Sequence, residues 1–255
     1  MYREIAQDFV GSRFRGMEGL LGVLLVGSAS LGYTDEFSDI DLELVASDEL
    51  FRSVGEDCGS EKHLGKDIWW EWMTLNELLE EIRDWREDAS LWVYSKSTIL
   101  YDSGELEKLL ARYKEYPENV WHQKLFTYWY IATGHAPYDS GRAISRGDLL
   151  TAQFYLSAAM EYYTALVFVL NRSFVPYRKW RPIELDKLQY TPRDFREKLR
   201  TILTTKSWHR QEFKAKQGIV NGLATELEPR LLDAGLPVEK IRDPWKFKAS
   251  YFPRI

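Results

Sequence analysis

The fold class read from the sequence is α+β: an α/β domain with a small mixed sheet over residues 1–112, then an all-α helical bundle over residues 113–255. Three observations carry this reading. Short apolar runs and period-two alternation, the marks of strands, occur only in the first part, and beyond it apolar residues recur at helical spacing. Charge divides at the same place. The chain of 255 residues has 34 Lys+Arg and 39 Asp+Glu, a net of -5. Residues 1–112 hold 11 basic and 24 acidic side chains, and residues 113–255 hold 23 and 15, so an acidic domain precedes a basic one. Finally, 45% hydrophobic and 15% aromatic residues are enough to build two cores and exclude a disordered chain.

Other classes fall away on composition. The single Cys58 excludes a disulfide framework and a thiolate zinc site. No stretch approaches the roughly 18 unbroken apolar residues of a membrane span. Met1-Tyr2-Arg3-Glu4 lacks the basic-then-apolar pattern of a secretory signal. A soluble, cytoplasmic protein without membrane contact is expected.

The elements follow in order. Residues 1–16 read as an amphipathic helix with Ile5, Phe9 and Val10 on one face. Leu20 to Val26 is a seven-residue apolar run, long enough for a buried strand and too short for a helix, and it ends at Gly27-Ser28. Asp39-Ile40-Asp41-Leu42-Glu43-Leu44-Val45 alternates charge and aliphatic, a strand with one apolar face and three carboxylates on the other. Ser47 caps a short helix reaching Asp57, and Asp67 to Met73 reads as a third strand. Asn76 to Asp88 is an acidic helix, and Thr98 to Tyr101 a short last strand. Helices are expected over residues 119–134, 147–171, 192–206 and 207–234, separated by Gly, Pro and Asn breaks. The tail from Leu236, with Pro237, Pro244 and Pro253, reads as irregular.

Chemistry concentrates at the first two strands. Residues i and i+2 of a strand share a face, so Asp39 and Asp41 project side by side. Two carboxylates about 5 Å apart repel by roughly 3 kcal/mol at an effective dielectric near 20, and a divalent cation between them reverses the sign. Hard oxygen ligands suit Mg²⁺, which keeps water and phosphate oxygens in its shell. At Gly27-Ser28 a strand ends where a helix can begin, so exposed backbone N–H groups and a hydroxyl are available to a phosphate. The bland alternative is a solvated acidic strand face preceded by an ordinary turn.

Val26-Gly27-Ser28, ten intervening residues, then Asp39-Ile40-Asp41-Leu42 resembles the signature of the nucleotidyltransferase superfamily, the group containing DNA polymerase β and the antibiotic nucleotidyltransferases. The resemblance implies a nucleotidyltransferase domain in which carboxylates hold two Mg²⁺ ions and a third carboxylate on a later strand completes the set. Glu71 is the best match to that third ligand, with Asp67 on the same face as its rival and Glu43 a fainter one; an exposed edge-strand carboxylate is the alternative. Gly27 and Ser28 are then phosphate-binding, and Asp39, Asp41 and Glu71 catalytic metal ligands. The implied reaction joins a nucleoside monophosphate, AMP from ATP, to an acceptor hydroxyl and releases pyrophosphate.

The layout as a whole resembles the aminoglycoside and lincosamide nucleotidyltransferases, in which a helical domain builds the acceptor pocket. Glu161 is the one charged residue between Asp148 and Arg172. On so apolar a face its pKa is expected to rise, which suits a general base; the alternative is a structural Glu paired with an Arg or a Tyr hydroxyl. Arg172 to Arg181 sets four cations among three aromatics, where Arg178 or Lys179 is placed to meet triphosphate and Tyr177 or Trp180 to stack a base. The same segment also fits an RNA-contacting strip, or a surface loop anchored by Trp180. Asn171, Phe174, Pro176, Lys179 and Trp180 resemble a segment of uncharacterised bacterial nucleotidyltransferase-like proteins. Trp121, Phe126, Tyr128, Trp129, Tyr130 and Tyr138 read mostly as core, with the remainder available to a flat or sugar-like acceptor.

The expected function is nucleotidylation of a small-molecule hydroxyl. Alternatives are nucleotidylation of a protein or tRNA in a toxin–antitoxin setting, and a non-catalytic nucleotide-binding module. A fused ribonuclease is not expected, because none of His63, His122, His135 and His209 follows an Arg at the required spacing. An exposed aromatic strip would favour a homodimer.

Overall fold

In the computed structural model, residues 1–55 and 58–247 are described. The chain divides into two compact units, Met1–Glu115 and Tyr116–Ile255.

The first unit is built on a mixed sheet of order β3-β4-β2-β1-β5. Its strands are β1 (Leu20–Val26), β2 (Ile40–Ala46), β3 (Gly59–His63), β4 (Lys66–Thr74) and β5 (Thr98–Asp102). β2 runs antiparallel to β1 and parallel to β4. Alternation along these strands sorts their side chains into two layers. Val23, Leu25, Ile40, Leu42, Leu44 and Ile68 form one core face, with Trp70 and Trp72 packed against it. Helix α1 (Tyr2–Arg13) covers that face through Ala6, Phe9 and Val10, and the Phe9 ring lies 5.5 Å from that of Trp70. The helix stops at Arg13, short of residue 16; the next residue, Phe14, also joins this core. The opposite face carries the carboxylates of β2.

Two elements differ from expectation. The acidic helix breaks in two, α4 (Leu75–Ile82) and α5 (Asp88–Lys96), because Asp84 and Trp85 take positive φ of 62° and 58°. A capping box at Thr74 and Glu77 starts α4 at the end of β4. Strand β3 was not expected, since Gly59-Ser-Glu-Lys-His63 is polar throughout. It is an edge strand, and Gly59 is required there because a Cβ would collide with the Trp70 indole. Ser47 caps α3 (Asp48–Val54) by accepting from Leu50 N–H at 3.3 Å; the expected end at Asp57 lies outside the described residues. α2 (Gly27–Leu31) and α6 (Leu106–Ala111) complete the unit.

The second unit is helical: α7 (Glu118–Thr133), α8 (Ser140–Arg146), α9 (Leu149–Leu170), α10 (Arg181–Leu185), α11 (Phe195–Leu203), α12 (Arg210–Asp233) and α13 (Val238–Arg242). A π-helical turn, Gly134–Asp139, joins α7 to α8. α9 is the central helix and packs on α7, α8, α11 and α12. Asp148 caps it, accepting from Thr151 N–H at 3.0 Å. Trp121, Phe126, Tyr128 and Trp129 are core residues, as their spacing predicts, whereas Tyr138 is 60% exposed. The tail is not irregular throughout. α13 returns to the bundle, where Ile241 is buried and its carbonyl accepts from Trp129 Nε1 at 2.9 Å. Pro253 lies outside the described residues.

Asn171 ends α9 and ties it to a distant segment. Its Nδ2 donates to Val167 O at 2.7 Å and Tyr190 O at 2.8 Å, and its Oδ1 accepts from Tyr190 N–H at 2.9 Å. Asn171→Ala removes all three bonds and leaves the Tyr190 amide without its side-chain acceptor. A loss of about 2 kcal/mol is expected in urea denaturation, with the slope unchanged. No change in midpoint would show the tie to be idle.

Candidate active site

The end of β1 meets the start of β2. Val26 pairs with Asp41, so the chain turns into α2 directly beside the Asp41 carboxylate. Gly27 has φ 65°, a left-handed conformation costly for any residue with a Cβ, and a Cβ there would collide with Asp41 Oδ2. Both demands explain the glycine. Ser28 follows in the first turn of α2, and its hydroxyl has no hydrogen-bond partner among the described residues. Asp39 lies one residue before β2, partly exposed, and its carboxylate likewise has no side-chain partner among the described residues.

Glu43, two positions beyond Asp41, shares its face and pairs across the sheet with Glu71 of β4. The two differ sharply in environment. Glu71 is exposed at the surface, whereas Glu43 is only 8% exposed and its Oε2 has no hydrogen-bond partner among the described residues. Burial pushes the Glu43 carboxyl up to about 8. The charges of Glu81 and Glu71 add to the rise, a Tyr94 hydrogen bond opposes it, and Asp41 contributes a smaller further increase. Tyr94 also donates to Glu81 Oε2 at 3.1 Å, and its own hydroxyl is held far above the usual range, first by burial and then by these two glutamates. Thus the face holding Asp41 and Glu71 also holds Glu43, backed by Glu81 of α4 and Tyr94 of α5. Asp67, the rival to Glu71, sits 3.9 Å from Lys62 at the exposed edge. Glu43 was visible in the strand alternation; Glu81 and Tyr94 carried no sequence signal.

Among the described residues no group of three His, Cys, Asp or Glu side chains forms a ready metal cage. The donor set is nevertheless of the right kind for Mg²⁺, which takes one or two carboxylates and completes its shell with water and substrate phosphate. Asp41 supplies hard oxygens next to the glycine that allows close approach, and Asp39 stands just before the same strand.

The helical unit places its predicted residues differently. Arg178 grips Glu161 in bidentate fashion, Nε to Oε1 at 2.8 Å and Nη2 to Oε2 at 3.1 Å, and Arg181 Nη1 adds a third bond at 3.1 Å. Burial acts to raise the Glu161 pKa, but the Arg178 hydrogen bond and the charges of Arg181 and Arg178 outweigh it and hold the carboxyl below its ordinary value. The expected rise is therefore corrected: after α9 the chain folds back, with Phe174, Val175 and Pro176 buried, and brings two guanidinium groups onto the glutamate. Arg172 is likewise engaged, bidentate to Glu118 and 3.3 Å over the Trp121 ring. Lys179 is exposed, with its ammonium 5.2 Å from the Trp180 ring centre.

Comparison with known proteins agrees with this architecture. Residues 86–181 match the family described as a domain of unknown function, DUF4037. A nucleotidyltransferase-like protein from Exiguobacterium sibiricum 255-15 superposes with a TM-score of 0.53 at 17% sequence identity, covering 94% of this chain and 81% of that one. The chain therefore has a nucleotidyltransferase-like fold. No curated protein matches the sequence. Among the described residues no helix is long and apolar enough to cross a membrane.

Proposed function

We propose that this chain is a Mg²⁺-dependent nucleotidyltransferase that moves AMP from ATP to a hydroxyl of a small molecule. The observation that carries the reading is Gly27 at positive φ, pressed against Asp41 at the junction of β1 and β2, with Asp39 two positions before it. The nucleotidyltransferase-like fold supports it.

Asp39 and Asp41 would hold the metal, with Glu71 the candidate for the third carboxylate. Bound there, Mg²⁺ supplies Lewis-acid polarisation of phosphate and lowers the pKa of an attacking hydroxyl. The glycine lets a phosphate approach the backbone, and the Ser28 hydroxyl donates to it. The acceptor hydroxyl gives its proton to solvent water as its oxygen bonds to the α-phosphorus, the bond to the bridging oxygen breaks, and pyrophosphate leaves with that electron pair. Glu43, buried behind the pair, supplies a carboxyl whose proton and charge respond to the site. Within the helical unit Lys179 is exposed and Arg178 is held by Glu161. Glu161 serves as the anchor of Arg178 and Arg181.

Calorimetric titration with ATP, GTP, CTP and UTP, with and without Mg²⁺, tests the reading. Mg²⁺-dependent nucleotide binding is expected, strongest for ATP and weakened in Asp39→Asn, with pyrophosphate released when a hydroxyl acceptor is present. Absence of metal-dependent nucleotide binding overturns it, and binding without pyrophosphate release would make the chain a nucleotide-binding module. Intact masses of the protein and of added tRNA after incubation separate macromolecular from small acceptors.

A further inference from the structure

Strand β4 divides its tryptophans between the two faces of the sheet. Trp70 and Trp72 turn to the core, where Phe9 and Phe14 pack against them. Trp69 takes the opposite face and is 49% exposed. Its ring meets no other ring, and its Nε1–H no acceptor, among the described residues. The register shows what surrounds it. Trp69 pairs with Asp41 of β2 on one side and with Ser60 of β3 on the other. Its same-face neighbours along β4 are Asp67 and Glu71. Adjacent strands stand about 4.8 Å apart, so the indole rises directly beside the Asp41 side chain.

This row across the sheet has a direction. It runs from the Gly27 turn after Val26, through Asp41, to Trp69. In an in-line displacement the attacking and leaving oxygens stand on opposite sides of the phosphorus. With the leaving pyrophosphate at Gly27-Ser28, the attacking hydroxyl arrives from the other side of Asp41, that of Trp69. Charge narrows what carries this hydroxyl. Asp41, Asp67 and Glu71 surround the indole, and Lys62 offsets one of them, Asp67, at 3.9 Å. Such a field repels a polyanion and favours a neutral or cationic molecule. The flat indole face suits a ring, and it attracts a cation carried on that ring.

Resting on the nucleotidyl transfer proposed above, we infer that Trp69 is the platform for the acceptor. It stacks on the ring of a hydroxylated small molecule that carries no phosphate, and sets that molecule's hydroxyl towards the α-phosphate. Trp69 then determines which acceptor binds and leaves nucleotide binding to Gly27, Ser28 and the aspartates.

Saturation-transfer NMR with glucosamine and tyramine as ring probes, on protein loaded with Mg²⁺ and α,β-methylene-ATP, tests the inference. The analogue cannot release pyrophosphate, so binding alone is read. Both probes are expected to bind the wild type, with little binding of glucosamine 6-phosphate or of a single-stranded RNA hexamer. Probe affinity should fall about tenfold in Trp69→Thr, which keeps strand propensity, and recover in Trp69→Phe. Calorimetric MgATP affinity should be the same in all three proteins, which also shows that the variants fold. Equal probe affinity in wild type and Trp69→Thr overturns the inference, as does failure of both probes to bind the wild type. A parallel loss of MgATP affinity would make Trp69 a nucleobase contact, and preferential binding of the RNA hexamer a nucleic-acid contact; either result overturns it. A wild type that binds no nucleotide in Mg²⁺ is a different failure: the transfer reading falls, and the role of Trp69 with it.

Discussion

Asp41→Asn is expected to lower pyrophosphate release about a thousandfold with the fold intact, and Gly27→Ala to approach the same loss without touching a carboxylate. Asparagine matches aspartate in shape but lacks its charge, so it cannot anchor a divalent cation that is worth several kcal/mol of transition-state stabilisation. The surroundings forbid a substitute. Asp41 Oδ2 lies against the Gly27 Cα, and the pairing of Val26 with Asp41 fixes the backbone on that side. Neighbouring carboxylates do not swing in, because Glu43 is buried and Glu71 is attached one strand away. In Gly27→Ala the new methyl displaces the carboxylate, and the left-handed backbone costs a further 1–2 kcal/mol, roughly, of stability. Kinetics of both variants, with denaturation curves as the fold control, check this pair. An active Gly27→Ala enzyme would mean that the carboxylate position tolerates displacement, and an active Asp41→Asn enzyme would remove Asp41 from the chemistry.

The parts of this site legible in the sequence are those fixed by local geometry. The run Leu20–Val26 and the alternation through Asp39, Asp41 and Glu43 specify strands and faces by side-chain period alone, and the structure has both strands in register. What was not legible depends on residues far apart in sequence. Glu43 is deep because Glu81 and Tyr94 arrive from α4 and α5, and the break between those helices at Asp84 and Trp85 left no periodic trace. Glu161 was legible only as two alternatives for the same reason. Its apolar helix allowed either a carboxyl of raised pKa or a structural one paired with an Arg, and the partners that decide for the second, Arg178 and Arg181, come from a reversal in which Phe174, Val175 and Pro176 are buried. Edge strand β3 has no apolar face to announce it, and only its pairing with β4 makes Gly59–His63 a strand. The ends of the helical bundle were readable where a cap or glycine stands, as at Gly147-Asp148, and not where α13 returns to the bundle.

Metal-free protein is expected to lose stability as pH rises from about 4.5 to 8, and Glu43→Gln to remove that loss. The Glu43 carboxyl stands at about 8 in the folded chain against an ordinary 4.5, through burial first and then the charges of Glu81, Glu71 and Asp41. A carboxyl raised on folding is bound to its proton more tightly in the native state. Its contribution is therefore complete below pH 4.5, falls through the interval, and is gone above pH 8. The whole interval corresponds to about 5 kcal/mol. Glutamine keeps the shape and the polar atoms and cannot ionise. The variant and the wild type should therefore agree near pH 4.5 and diverge by a few kcal/mol at pH 8.5, with the variant the more stable. Urea denaturation across this range in the presence of EDTA reads the difference, and parallel curves would show that Glu43 ionises in the folded protein at its ordinary value. The same result bears on the site, because a buried acid that resists ionisation is a poor ligand for a cation at neutral pH.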